Sequence, residues 1–481
     1  MRINIHPSSV GPILRGGPNP DSIGILSRGR SRRFYHTYIV FKLDEEIQYR
    51  RVVKTHDHIC VMHFSDLSEG SHFYQTGYFT VSPVHQFDKT NFVWNNVEKH
   101  IFNISFSEPL DFIFASSMRY IPGPINFGTK KGDEIFKTIG NIKNIQFILH
   151  LGDKFVYDSL GPLCRKRSVS QMRRLNRTVY NMRWYRNLHT FIPSYDICDD
   201  RDLHVKNAGQ ISKFKHSSSF KNGLKVYREY RHHLGPIHSI SEPLYYTFER
   251  NNSHFFVFDT RTEREELSNN RRMVSNTQLK AFKHWIRDSE KADKYKFIVS
   301  SVPVVSHPGQ DKWSGYPVQQ RKLLEIVLGK NRLGNPIRKA IFLCGDSKCC
   351  RASIYDVSDR YGVTLGNVTE IISSGLNCVK HGKGKQFTKF TELERYDENN
   401  DFPHIVDNTF ERGLKFTTRM SSMTFPNPHK PVKLLDKLRK PFIKVIDSVF
   451  VRILEIEDKL CVRIYNQYQV VLYETMLSYN N

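Results

Sequence analysis

Residues 191–209 read FIPSYDICDDRDLHVKNAG. A short apolar run, Phe191-Ile192-Pro193, leads through Ile197 and Cys198 to two adjacent aspartates, Asp199 and Asp200. Asp202, Lys206 and Asn207 follow. A strand that delivers carboxylates to a loop presents hard oxygen ligands to a metal ion. The same composition also suits an Asp-rich surface turn. Two other apolar runs end in Gly-Asp: FILHL at 147–151 enters Gly152-Asp153, and AIFLC at 340–344 enters Gly345-Asp346. FIFA at 112–115 runs into Ser116-Ser117-Met118-Arg119-Tyr120, and HFFVF at 254–258 into Asp259-Thr260-Arg261. Sites in α/β sheets form at the carboxyl ends of strands. These four ends and the aspartate pair are expected to converge on one crevice suited to an anion or a metal.

The elements that would position them alternate in type. From about residue 106, apolar strands, with FIVSSV at 297–302 among them, are separated by helical periodicities, the mark of an α/β core. Met172, Leu175, Val179 and Met182 recur at helical spacing, as do Leu279, Phe282 and Ile286. Leu323, Leu324, Val327 and Leu328 form a third stripe, ended by Gly329. Before this core, YIVF at 38–41, CVMHF at 60–64 and HFYQTGYFTV at 72–81 suggest a small antiparallel sandwich. The expected organisation is a loose Gly/Pro/Ser-rich arm (1–30), a β-sandwich (31–105), an α/β core (106–390) and a β-rich extension packed on it (391–481). The extension ends in three strand-like runs at 449–456, 460–465 and 468–477.

A chain of 481 residues with 39% hydrophobic and 12% aromatic content can bury substantial cores and is not of disordered type. No apolar run reaches 18 residues, so no membrane helix is expected. The net charge of +24 attracts anions, whether nucleic acid, an acidic membrane surface or a phosphorylated ligand, without choosing among them. The eight cysteines include no CxxC pair, and free thiols in a reducing compartment are expected. Ser31-Arg32-Arg33-Phe34 has the look of a twin-arginine signal, but Lys42 and Asp44 interrupt the apolar run after it. An intracellular, cytoplasmic location is the expectation.

The ordered motifs resemble those of the alkaline phosphatase D (PhoD-like) metallophosphoesterases. That family carries SCRYPG, GDxxY, DDHDYGxNDAG, a strand ending in DxR, DxWxGY, GDVH and often SGLTH. Here stand ASSMRYIPG at 115–123, GDKFVYD at 152–158, DDRDLHVKNAG at 199–209, FDTR at 258–261, DKWSGYP at 311–317, GDSK at 345–348 and SGLNC at 374–378. LSEGSHFYQTGYF at 67–79 is similar to the family's late sandwich strands. The resemblance implies a calcineurin-like sandwich of two central sheets flanked by helices, with a two-metal centre that hydrolyses phosphate esters.

The departures fall on the metal ligands that the resemblance implies. Met118 stands for the Cys of SCRYPG, Val156 for the Tyr of GDxxY (Tyr157 is one place along) and Arg201 for the His of DDHD. Lys206 stands for the Asn of GxND, with Asn207 where an Asp is usual. Lys348 replaces the His of GDVH, and Cys378 the His of SGLTH. Asp153, Asp200 and Asp346 survive as metal-ligand positions. A ligand must offer a lone pair. Deprotonating lysine at neutral pH costs about 4–5 kcal/mol, and arginine never does so in practice. Methionine is a poor partner for hard ions. The expectation is a degenerate phosphatase that binds a phosphate-bearing or anionic ligand through Arg201, Lys206 and Lys348, paired with the surviving aspartates, and holds no metal. The alternative is an active phosphomonoesterase or phosphodiesterase with two ions of iron, calcium, manganese or zinc.

Other features carry bland readings beside sharper ones. His150, His204 and His307 suit core or surface histidines as well as relocated ligands. Cys198, Cys349, Cys350 and Cys378 lack tetrahedral spacing and suit inert thiols better than a soft-metal site. Arg173, Arg174, Arg177, Arg183 and Arg186 accompany an apolar helical face, either as a solvated stripe or as an anion-binding one. Residues 430–446, KPVKLLDKLRKPFIKVI, suit a basic loop-helix against the core, with membrane contact as the alternative.

Overall fold

The computed structural model describes residues 10–29, 36–81, 93–94, 99–118, 134–154, 168–232, 243–251, 253–267, 271–305, 309–329, 337–346, 350–359, 364–373, 376, 379–380, 391–392, 414–424, 444–445, 449–457, 459–466 and 468–477. Two large sheets form its centre. The first has nine strands in the order Val471–Leu477, Lys459–Asn466, Val449–Ile456, Asp111–Ala115, Phe147–His150, Ser194–Asp196, Ile13–Gly16, Ile23–Arg28 and Ile59–Phe64. The second runs Tyr246–Arg250, Ser253–Val257, Tyr295–Ser300, Ala340–Cys344, Thr364–Ile372, Cys350–Asp359, Leu414–Thr424 and Thr391–Glu392. The middle strands of both sheets are parallel.

Every residue of the strands Asp111–Ala115, Phe147–His150 and Tyr295–Ser300 is buried, as expected for parallel strands covered on both faces. The sheets pack face to face through aromatic rings. Phe112 and Phe147 each meet Phe255 edge-on at 5.6 Å, and Tyr195 stacks on Phe248 at 3.7 Å. Each such pair adds about 0.5–1.5 kcal/mol beyond its buried area. Helices cover the outer faces. Val169–Tyr180, Arg183–His189 and Ser217–Tyr230 pack on the first sheet, and Asn276–Ser289 and Pro317–Val327 on the second. The three periodic stripes in the sequence thus fall on helices, although Met182 lies at the N-cap of the next helix.

A five-membered antiparallel sheet, containing His36–Leu43, Glu46–Arg51, Gly70–Val81, Val93–Trp94 and His100–Ile104, lies in sequence between the first-sheet strands Ile23–Arg28 and Asp111–Ala115. Three details differ from the sequence expectation. Ile13–Gly16 and Ile23–Arg28 are strands of the first sheet, so residues 10–29 are not the loose arm expected, and the rest of 1–30 lies outside the described residues. Glycine there serves close packing: a Cβ on Gly16 would overlap the Tyr195 ring. Strand Ile59–Phe64 leaves the small sheet and joins Ile23–Arg28. The C-terminal strands are likewise continuous with the first sheet: Val449–Ile456 pairs with Asp111–Ala115, and Arg452 Nε donates to Asp111 Oδ1 at 2.9 Å. Among the described residues no helix is long and apolar enough to cross a membrane.

Candidate functional site

The crevice forms where strand ends from both sheets meet. Met118 N donates to the Asp153 carbonyl at 2.9 Å, and Ser117 N to that of Gly152 at 3.1 Å. Ser116 Oγ donates to the Ser373 carbonyl at 2.7 Å, and Gly345 N to that of Ser300 at 3.2 Å. The loop after Phe147–His150 turns through Gly152 at φ +85° and Asp153 at φ +56°, and a Cβ on Gly152 would overlap Asp199 Cβ. Asp346 follows its strand at φ +44°.

Asp153, Asp199 and Asp346 each bring a carboxylate oxygen to within 4.8 Å of the others. Asp199, the first of the aspartate pair, occupies the position that the motif comparison gave to Asp200. Asp200 turns aside: its Oδ2 accepts from Asn207 N at 2.6 Å, and its Oδ1 lies 3.4 Å from Arg201 Nε. Adjacent residues on an extended segment point to opposite sides, and spacing alone cannot say which side faces the crevice.

Of the cations the sequence suggested, Arg201 pairs with Asp200 and Lys348 lies outside the described residues, while Asp199 and Asp346 are met by other cations. Arg261, with a wholly buried side chain, donates from Nε to Asp199 Oδ1 and from Nη1 to Asp311 Oδ1 at 2.7 Å. Its Nη2 stands 3.6 Å from Asp346 Oδ2. Lys312 pairs with Asp346 and also donates to its carbonyl at 2.9 Å. Arg264 adds a second guanidinium to Asp311. Arg201 offers its backbone N–H to Asp153 Oδ1 at 3.3 Å, and Lys206 is exposed. Arg261, Asp311 and Lys312 lay within the FDTR and DKWSGYP segments, where their charges were the overlooked signal.

Burial, followed by the negative charges of Asp199, Asp200 and Asp346, pushes the Asp153 carboxyl well above its ordinary range. Burial raises Asp199 to about 8 even though Arg261 opposes it, with Asp346 and Asp200 adding to the rise. Asp311 behaves oppositely: burial would raise it, but Arg261 and Arg264 hold it well below the usual range. Arg261 thus compensates Asp311 more fully than it does the trio. Asp199 Oδ2 is buried and has no hydrogen-bond partner.

Lys154, the residue after Asp153, belongs to a buried ionic cluster. Lys154 Nζ donates to Asp196 Oδ1 at 2.6 Å, and Arg15 pairs with the same carboxylate. Tyr180 and Tyr185 rings face Lys154 at 5.5 and 5.2 Å. Met118, at the position of the implied Cys ligand, packs in the hydrophobic cluster beside the helices of the first sheet. His150 is buried against His189 at 3.2 Å between their Nε2 atoms, and His204 ends the turn after Asp200. Cys198 is a buried free thiol, and Cys350 is buried. Arg173 and Arg177 are engaged by Glu229 and Asp57, which interrupts the basic stripe. Val156, His307, Lys348, Cys349 and Cys378 lie outside the described residues, as does 430–446 apart from Lys444 and Val445.

The donor set decides which ion fits. Three carboxylates supply hard oxygen ligands, suited to calcium, magnesium or manganese. An orphaned buried oxygen and two raised carboxyl groups mark a place short of positive charge. Among the described residues no histidine or cysteine joins this group, and Arg261 and Lys312 engage the same carboxylates that a second ion would need.

No family model matches the sequence, and no curated protein does. Solved structures do match in fold. The structure of PhoD aligns with a TM-score of 0.61 at 13% identity, covering 98% of this chain and 92% of that one. A purple acid phosphatase from yellow lupin (Lupinus luteus) seeds aligns at 0.54 and 10% identity, covering 98% and 74%. With its paired sheets, outer helices and additional small antiparallel sheet, the chain has the PhoD-like, calcineurin-like metallophosphoesterase fold.

Proposed function

We propose that this phosphatase-fold protein binds a phosphate-bearing ligand at the crevice with one hard divalent cation, held by Asp153, Asp199 and Asp346, and has lost two-metal ester hydrolysis. The observation that carries this reading is the buried, unpartnered Asp199 Oδ2 within a trio of carboxylates. It departs from the metal-free expectation because the cations nearest the trio are already committed. Arg261 shares its charge with Asp311, and Lys312 is paired at Asp346. A bound divalent ion would supply a Lewis-acidic contact for phosphate oxygens.

The chain's own residues define the rest. Arg201, whose backbone N–H donates to Asp153 Oδ1, borders the trio with a side chain 18% exposed and brings positive charge to the rim. The field of a chain carrying +24 raises the local concentration of anions, an effect that weakens with salt. Loss of hydrolysis is favoured by Arg261, which stands against Asp199 and Asp346 where a second ion would require free carboxylates. The test is calorimetric titration of the purified chain with manganese, calcium and magnesium, then with inorganic phosphate, beside a 4-nitrophenyl phosphate assay. One ion per chain, with phosphate affinity and no turnover, is expected. Two ions per chain with sustained turnover would return the protein to the active phosphatases.

A further inference from the structure

We propose that Asp202 is a positioning residue that fixes Asp153 and Asp199 relative to each other. This rests on the cation reading above. Asp202 is 1% exposed and stands in the turn after Asp199. Its Oδ2 accepts the backbone N–H of Asp153 at 3.1 Å and that of Asp199 at 3.0 Å. Its Oδ1 accepts the backbone N–H of Lys154 at 3.0 Å and a guanidinium N–H of Arg231. One carboxylate therefore ties the two ligand-bearing loops, which descend from different strands, amide to amide.

Two alternatives fail on the same geometry. Asp202 is not itself placed to be a ligand. An ionised carboxylate has about four lone-pair sites, and four donors occupy them. Nor is it only a cap of its own turn. Capping accounts for the bond to Asp199 N, which lies in that turn. The bonds to Asp153 N and Lys154 N reach into the other loop. Arg231 holds the carboxylate in place from the end of helix Ser217–Tyr230, with its guanidinium 5.0 Å from the Tyr227 ring. The absent side chain of Gly152 lets the loops approach, and Asp202 sets the distance at which they stop.

The test compares Asp202→Asn and Asp202→Glu with wild type and with Asp111→Asn, which breaks the remote pair with Arg452. Asparagine must turn its NH2 toward two of the four donors. Glutamate keeps the charge but displaces it by one methylene. Two readouts are used: manganese affinity by calorimetry, and hydrogen exchange of the Asp153 and Asp199 amides by NMR. Both Asp202 variants should weaken manganese binding by about 10- to 100-fold, the range for supporting groups behind metal ligands. Both should also deprotect the two amides beyond any global loss of stability, and Asp111→Asn should do neither. Wild-type-like manganese affinity in Asp202→Glu would reduce the role to charge and overturn the proposal. So would amide protection in Asp202→Asn equal to that in Asp111→Asn. If wild type takes up no manganese, the cation reading fails, while the exchange data still decide the role of Asp202.

Discussion

Replacing Arg261 with methionine removes the guanidinium that stands among three carboxylates. The side chain is 0% exposed, as is that of Asp199, while Asp311 and Asp346 are 19% and 28% exposed. At an effective dielectric of about 20, the 2.7 Å contact to Asp311 is worth roughly 6 kcal/mol and the 3.6 Å approach to Asp346 roughly 5 kcal/mol. Those gross attractions offset the desolvation of a fully buried cation, so they do not add to the net. Truncating one member of a buried ion pair costs about 3–5 kcal/mol. The low end applies here. Asp311 keeps Arg264, and Asp199, already raised to about 8, is left with little charge near pH 7 to strand.

Arg261→Met should therefore lose about 3 kcal/mol of unfolding free energy near pH 7 in chelator. It should also gain a second cation site, because carboxylates released from the guanidinium need a replacement charge. At a manganese concentration about 100 times its Kd, each bound ion adds about 2.7 kcal/mol. Wild type should gain that amount once and the variant about twice. Urea unfolding with and without manganese measures the energies, and calorimetry measures the stoichiometry. A variant that loses less than about 1 kcal/mol would show that the ion pairs merely break even with desolvation. A variant that still binds one ion would refute the claim that Arg261 excludes a second.

Gly152→Ala should cost about 2–5 kcal/mol, from a left-handed backbone combined with overlap at Asp199 Cβ, and should abolish cation uptake. Urea unfolding and calorimetry read the two effects, and an alanine variant that keeps wild-type cation affinity would contradict the close approach of the loops. Burial lowers His189 to about 3, with nearby Lys154 adding to the effect, so the folded state keeps it neutral while the unfolded chain takes up a proton below about 6.5. Stability from this group is present above that pH and is lost as pH falls toward 3, by up to about 4–5 kcal/mol. His189→Gln should flatten the fall in urea midpoint between those limits, and parallel slopes for variant and wild type would rule out the histidine as its source.

The α/β class was legible because fully buried parallel strands write themselves as unbroken apolar runs. The helices between them were legible from their periodic stripes. Sheet membership was not. Strand Val449–Ile456 looks like part of a separate extension until it is paired with Asp111–Ala115 across most of the chain. Residues 13–28 were hidden by their glycines and prolines, which read as looseness in sequence, whereas Gly16 and Gly17 act as clearance in the structure. In both cases the missing information was a long-range partner, which no local window contains.

The same limit governs the crevice. Strand-end reasoning located the Asp153 and Asp346 loops, because a Gly-Asp step after an apolar run is a local pattern. It could not choose between Asp199 and Asp200, since that choice depends on which face of the turn meets Gly152. Nor could it assign the compensating charge. Reading substitutions motif by motif set Arg201, Lys206 and Lys348 against the aspartates because each stands where a family ligand would. The guanidinium that reaches Asp199 comes instead from Arg261, which follows a strand of the opposite sheet. Charge balance in a buried site is a property of everything within a few ångströms, not of one motif position. A lost ligand therefore does not by itself empty a metal site. Arg261 satisfies Asp311 and one oxygen of Asp199, but the other oxygen of Asp199 stays buried and without a hydrogen-bond partner.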